Sequence, residues 1–150
     1  MISFFPAIIS AALLAALPAA AAVPAPDDKA GRVLHVTDGG TLEVLIGTAR
    51  VRVRLAGIEV PAEGQAYSLR ARQSLIAICG GESATVKTAG KDRKGVVLAY
   101  VTCNGREANA EQVRLGLARM TTGAASSVRH AEDEAKAARR GIWAPTPQPR

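Results

Sequence analysis

The chain has 150 residues, enough for one compact domain and hardly two. It is 48% hydrophobic but only 3% aromatic, and its net charge is +6. A surplus of that sign favours a polyanionic partner (nucleic acid, lipopolysaccharide or anionic membrane) or serves solubility alone, and charge does not choose between these. Zinc is disfavoured. The two cysteines, Cys79 and Cys103, are too far apart for a CxxC pair, and His35 and His130 are the only histidines.

Residues 2–23 contain no charge. An apolar run over 8–17 is broken by Pro18 and followed by Ala20-Ala21-Ala22, a small-x-small site. Residues 1–22 are therefore expected to be a secretory signal, although its first residues carry no Lys or Arg. An uncleaved anchor or a buried helix is the alternative. A spanning helix needs about 20 apolar residues without an early break. The mature chain is then periplasmic or secreted, without a transmembrane segment, and keeps every charged side chain. In an oxidising compartment Cys79 and Cys103 permit one disulfide, with geometry deciding whether they meet.

Residues 23–30 read as a linker with Pro24, Pro26, Asp27 and Asp28. Strand signals cover 32–37 and 41–46, separated by the turn cluster Asp38-Gly39-Gly40. In the third strand Val51, Val53 and Leu55 alternate with Arg50, Arg52 and Arg54, so one face carries a row of guanidiniums. For Arg50 a solvated role is the expected one. After a loop over 61–66, a helix is expected over 67–79, ended by Gly80-Gly81. Strands over 83–88 and 96–103 flank a charged loop over 91–95. Asn104-Gly105 makes a turn, and Asn109 is placed to cap a helix reaching Leu117. A last helix follows Ser126-Ser127, with acids early and bases late, as the helix dipole prefers. Residues 144–150 form a proline-rich tail expected to be disordered. The order predicts an α+β domain over 31–143, a five-stranded OB-type barrel with three α-helices. Such barrels commonly bind oligonucleotides, but fold alone does not settle function.

Several stretches resemble the staphylococcal nuclease family. Asp38-Gly39-Gly40-Thr41 is similar to its D-G-D-T turn. The segment from Arg54 to Pro61 resembles R-L-x-G-I-D-x-P, and Gln65 falls where many members have Gln. Asp92-Arg93-Lys94-Gly95 and Leu98-Ala99-Tyr100 resemble D-[RK]-Y-G and L-A-Y. Asn109, Val113 and Gly116-Leu117-Ala118 fit N-x-x-x-V-x-x-G-L-A, and Gly141-Ile142-Trp143 fits the closing G-I-W. The matches run in order over 31–143.

The resemblance implies calcium-dependent cleavage of DNA and RNA phosphodiesters. That chemistry needs a metal to polarise the phosphate, cations to stabilise the transition state and a carboxylate to activate water. The family supplies an Asp in D-G-D-T, an Asp in G-I-D, an Arg in R-L, a Glu in P-E and an Arg after Y-G. Here the R-L arginine is Arg54, and the G-I-D carboxylate is Glu59, one methylene longer. The other three positions hold Gly40, Ala62 and Val96. Aromatic positions of the family's nucleotide pocket hold Lys94, Thr122 and Ala124. Each lost ring removes stacking worth about 1–3 kcal/mol per base.

Glu63 is a neighbouring carboxylate that a loop rearrangement would have to redirect. Asp38 and Glu59 are the remaining metal candidates, a sparse set for calcium, which takes about 6–8 oxygens. Arg54 either holds phosphate or is tied to Glu59 or a backbone carbonyl. The reading that follows is an exported domain, catalytically impaired or inactive. It binds nucleic acid or another polyanion through Arg52, Arg54, Arg93 and Lys94, needs no cofactor and is monomeric by default. One alternative is an active divalent-metal phosphodiesterase using Arg54 and Glu59, with calcium as cofactor. The other is a non-catalytic protein-interaction module of the cell envelope.

Overall fold

The computed structural model describes residues 28–146. The expected signal over 1–22, most of the linker and the end of the tail lie outside the described residues. Three antiparallel strands come first: β1 (Asp28–Asp38), β2 (Thr41–Ile46) and β3 (Ala49–Leu55). Two-residue β4 (Ile58–Glu59) precedes helix α1 (Ser68–Cys79). Strands β5 (Ser83–Lys91) and β6 (Val97–Cys103) follow, then short β7 (Arg106–Glu107) and helix α2 (Ala108–Arg114). The chain ends with β8 (Arg119–Met120), helix α3 (Ser126–Ala137) and a 3-10 turn over Gly141–Trp143.

The barrel closes in two steps. β1 pairs with both β2 and β5, and β5 pairs with β6, all antiparallel. The parallel pairing of β3 with β6 then joins the ends, with Val53, Arg54 and Leu55 opposite Val97, Leu98 and Ala99. Register shifts in β1 and β5 supply bends that closure requires. Period-two alternation sends Leu42, Val44, Val53, Leu55, Val86 and Val101 inward, where all are buried. α1 covers this core with Ala71, Leu75 and Ile78, and Cys79 at its end forms a disulfide with Cys103 of β6. A second apolar cluster, including Val113, Ala118, Val128 and Ala131, cements α2 to α3.

Four local expectations are corrected. Asp28–Ala30 belong to β1 rather than to a linker, because they pair with Thr85–Lys87 of β5. Lys91 belongs to β5 rather than to the charged loop, paired with Val97. Asn109 does not cap α2; it lies inside the helix with its side chain buried. There it accepts from the Val101 N–H and donates to the Ala56 and Ala99 carbonyls. α2 also stops at Arg114, short of Leu117. Gly116 turns the chain with φ +70, and a Cβ there would lie 2.0 Å from the Arg140 carbonyl oxygen.

Candidate active-site cleft

The turn between β1 and β2 is seated by three contacts. Asp38 Oδ1 accepts the Gly40 N–H at 2.8 Å, an Asx-type turn that the short carboxylate side chain allows. Gly39 presses on α1, where a Cβ would meet the Ala71 Cβ at 2.5 Å. Buried Gln112 of α2 donates to both the Gly39 and Ala71 carbonyls, at 2.7 and 2.8 Å. Beside the turn, the Leu55 N–H reaches the Gly40 carbonyl at 2.8 Å. A cleft of about 250 Å³ opens there, lined by Asp38, Gly40, Thr41, Arg54, Glu59 and Val60 among others.

Arg54 projects from β3 with 57% of its side chain exposed. Its ion-pair partner is Asp92 at 3.7 Å, not Glu59 or a backbone carbonyl. Parallel β3–β6 pairing explains the partner, because Asp92 lies in the turn that leads into β6. Asp92 Oδ1 also accepts the N–H groups of Val96 and Lys94, at 2.9 and 2.8 Å. The Val96 N–H contributes most to holding the Asp92 carboxyl below its ordinary value. Partial desolvation works the other way, while the Lys94 N–H and the charges of Arg54 and Lys94 add to the lowering.

The remaining candidates separate. Arg52, Arg93 and Lys94 are exposed and in none of the ion pairs among the described residues, whereas Arg50 pairs with Glu43 at 3.1 Å. Glu59 is exposed and pairs through its backbone with Arg119 in the β4–β8 ladder. Ala62 donates its N–H to Gln65 Oε1 at 2.9 Å. Glu63 lines a neighbouring cleft of about 530 Å³ with Ser68 and Arg72, so it is not brought to the Arg54 cleft. Val96 is half-buried in the Asp92 turn. Thr122 is exposed and Ala124 is buried, so neither offers a stacking face.

The sequence profile described as staphylococcal nuclease homologue matches residues 52–145. The chain belongs to that family. It is 39% identical to a micrococcal nuclease of Shigella flexneri over 60% of this chain and 52% of the relative. It is 35% identical to the protein ParB of Escherichia coli over 89% of this chain and 82% of the relative. An uncharacterized endonuclease of Escherichia coli is 32% identical over 75% of this chain and 76% of its own length. This chain thus spans about half of the Shigella nuclease and most of the other two.

Within this nuclease-family cleft, Asp38 and Glu59 are the carboxylates offered to a cation, and Asp38 already spends one oxygen on the turn. No group of three His, Cys, Asp or Glu side chains comes together among the described residues. Calcium with its 6–8 oxygens is a poor fit to that donor set. Gly40 adds no side-chain oxygen, and a Cβ there would sit 3.2 Å from both Val60 methyls. Sequence reasoning missed three residues that shape the cleft: Asp92, Gln112 and Val60. Asp92 stood in a quoted motif, but its link to Arg54 depends on barrel closure and leaves no local signal. Gln112 reads as one polar residue in a helix, without a sign that its amide is buried.

Proposed function

We propose that this domain is an exported member of the nuclease family, impaired or inactive in phosphodiester cleavage, that binds nucleic acid or a related polyanion. The observation that carries the reading is the cleft itself. Arg54 is present and mostly exposed, while the positions of three chemistry residues hold Gly40, Ala62 and Val96. A phosphate approaching Arg54 meets a 3.7 Å ion pair to Asp92, loose enough to be exchanged. Exposed Arg52, on the same face of β3 as Arg54, and exposed Arg93 and Lys94, in the turn that leads into β6, add to the positive field. Binding of this type weakens steeply with salt, because it releases counterions. Export is supported by the uncharged apolar run before residue 23 and by the Cys79–Cys103 disulfide.

Activity is the second reading, favoured by Arg54, Asp38 and Glu59 sharing one cleft. The chain's own residues would then do limited work. Arg54 would neutralise charge on the phosphate, and Glu59 would orient a water or help hold a cation.

A cleavage assay separates the readings. Purified protein is given single- and double-stranded DNA and RNA with calcium, magnesium, manganese or chelator. A second protein carries Gly40→Asp, Ala62→Glu and Val96→Arg, with Val60→Ala added in a further variant to make room at position 40. The expected result is a silent wild type and cleavage by a restored variant. Metal-dependent cleavage by the wild type that Arg54→Ala abolishes would establish the active reading instead.

A further inference from the structure

The described domain has three aromatic side chains, Tyr67, Tyr100 and Trp143. Tyr100 is structural: its hydroxyl accepts the Ala125 N–H at 3.0 Å. Tyr67 lines a cleft of about 530 Å³ with Glu59, Gln65, Arg119 and Ile142 among others, and Trp143 meets that cleft only through Arg119, which lies over its ring. This cleft shares Glu59 and Val60 with the Arg54 cleft and so adjoins it along β4.

Its two flat surfaces, the Tyr67 ring and the Arg119 guanidinium, are both held in place. Tyr67 has φ +69, a left-handed conformation uncommon outside glycine, and such outliers gather at binding sites. The Arg70 guanidinium lies 5.6 Å from the centre of its ring. Arg119 stacks on Trp143 with its guanidinium carbon 4.8 Å from the ring centre, and Lys136 Nζ sits 4.7 Å from the same ring. Arg119 is in none of the ion pairs among the described residues, although Glu59 is its register partner. A planar cation fixed on an indole and a nearby phenol ring match the flat face of a nucleobase, which stacks on aromatic rings and on guanidinium planes alike. Polar groups at the rim, Glu59 and the Gln65 amide, match base-edge N–H and carbonyl groups.

We propose that this second cleft is a nucleobase subsite for a single strand whose phosphate lies at Arg54. The inference rests on the polyanion reading above and adds a base-reading pocket away from Lys94, Thr122 and Ala124. It predicts that the domain prefers strands with bases over bare phosphodiester backbone.

The test compares fluorescein-labelled (dT)8 with an abasic phosphodiester of the same length and charge, by anisotropy at fixed salt. Trp143, the one tryptophan of the chain, lies against Arg119 of the cleft, so its emission reports a base settling on that guanidinium. The expected result is about 5- to 150-fold tighter binding of (dT)8, the range of a stacked base, with a change in Trp143 emission that the abasic strand does not cause. Tyr67→Gly suits the left-handed backbone and Arg119→Lys keeps the charge, so both variants are built to fold. Each should pull (dT)8 toward the abasic affinity and leave the abasic strand unchanged, whereas Tyr67→Phe should retain the preference. Equal binding of the two strands by the wild type overturns the subsite and leaves the polyanion reading standing. A preference that survives Tyr67→Gly and Arg119→Lys also overturns it. Binding of neither strand overturns both.

Discussion

Replacing Cys79 and Cys103 together by alanine should destabilise the domain by about 3.5 kcal/mol or more. The bridge spans 24 residues, and the loop-entropy relation gives about 3.4 kcal/mol at 25 °C for a loop of that length. Both cysteines are fully buried, so the loss of two sulfur atoms from the core adds to that figure rather than offsetting it. For a domain of this size the change corresponds to a fall in melting temperature of about 10 °C. Urea unfolding followed by circular dichroism measures it, with oxidised wild type, wild type reduced in denaturant and the double variant side by side. The reduced wild type, which keeps both sulfur atoms, should fall between the oxidised protein and the double variant. A shift below about 1 kcal/mol in both would refute the reasoning, since the closed loop would then constrain the unfolded chain far less than its length implies.

Two further outcomes are expected. Asn109→Ala removes a partner from the Val101 N–H and from the Ala56 and Ala99 carbonyls, of which Ala99 keeps the Ala56 N–H. The variant should lose about 3 kcal/mol or more in the same urea experiment, and a loss under about 1 kcal/mol would mean that water replaces the amide. For Asp92, the folded-state pKa is lowered, first by the Val96 N–H. Its contribution is therefore complete above the ordinary carboxylate range and is lost as pH falls through the folded value. Wild type should lose more stability than Asp92→Asn on acidification below about pH 4. Parallel acid-titration curves for the two proteins would count against the clamp.

Much of the barrel was legible because its strands carry their own instruction. Val51, Val53 and Leu55 alternate with arginines, and this pattern alone placed β3 and told which face was inner. α1 was placed within a residue of its observed start by the apolar spacing of Ala71, Leu75 and Ile78. The misses have physical causes. The first residues of β1, Asp28-Lys29-Ala30, have no apolar alternation and are strand only because β5 offers them hydrogen bonds. β4 and β8 are two residues each, too short for any period, and they find one another across some sixty positions through Ile58–Met120 and Glu59–Arg119. Asn109 carries the ordinary signature of a helix cap, yet the three backbone groups beside α2 outbid that role. Site positions followed from motif spacing. Their partners did not, since the ion pair of Arg54 with Asp92 depends on a parallel contact that no local pattern announces.

That parallel contact has a kinetic consequence. The seam between β3 and β6 is only three residue pairs long, yet it joins segments more than forty positions apart. Loop closure of that span must precede any gain from the seam, so it belongs among the late events of folding. The antiparallel meander β1–β2–β3 and the hairpin β5–β6 form from nearer neighbours and wait for it. Until they meet, along β1–β5 as well as along this seam, Arg54 and the Asp92 turn ride on separate segments of the chain. The cleft is thus assembled in one stroke with the barrel, and a partly folded chain displays its arginines without the carboxylate that disciplines them. Refolding followed by polyanion affinity and by the Arg54–Asp92 pairing would read the same moment twice.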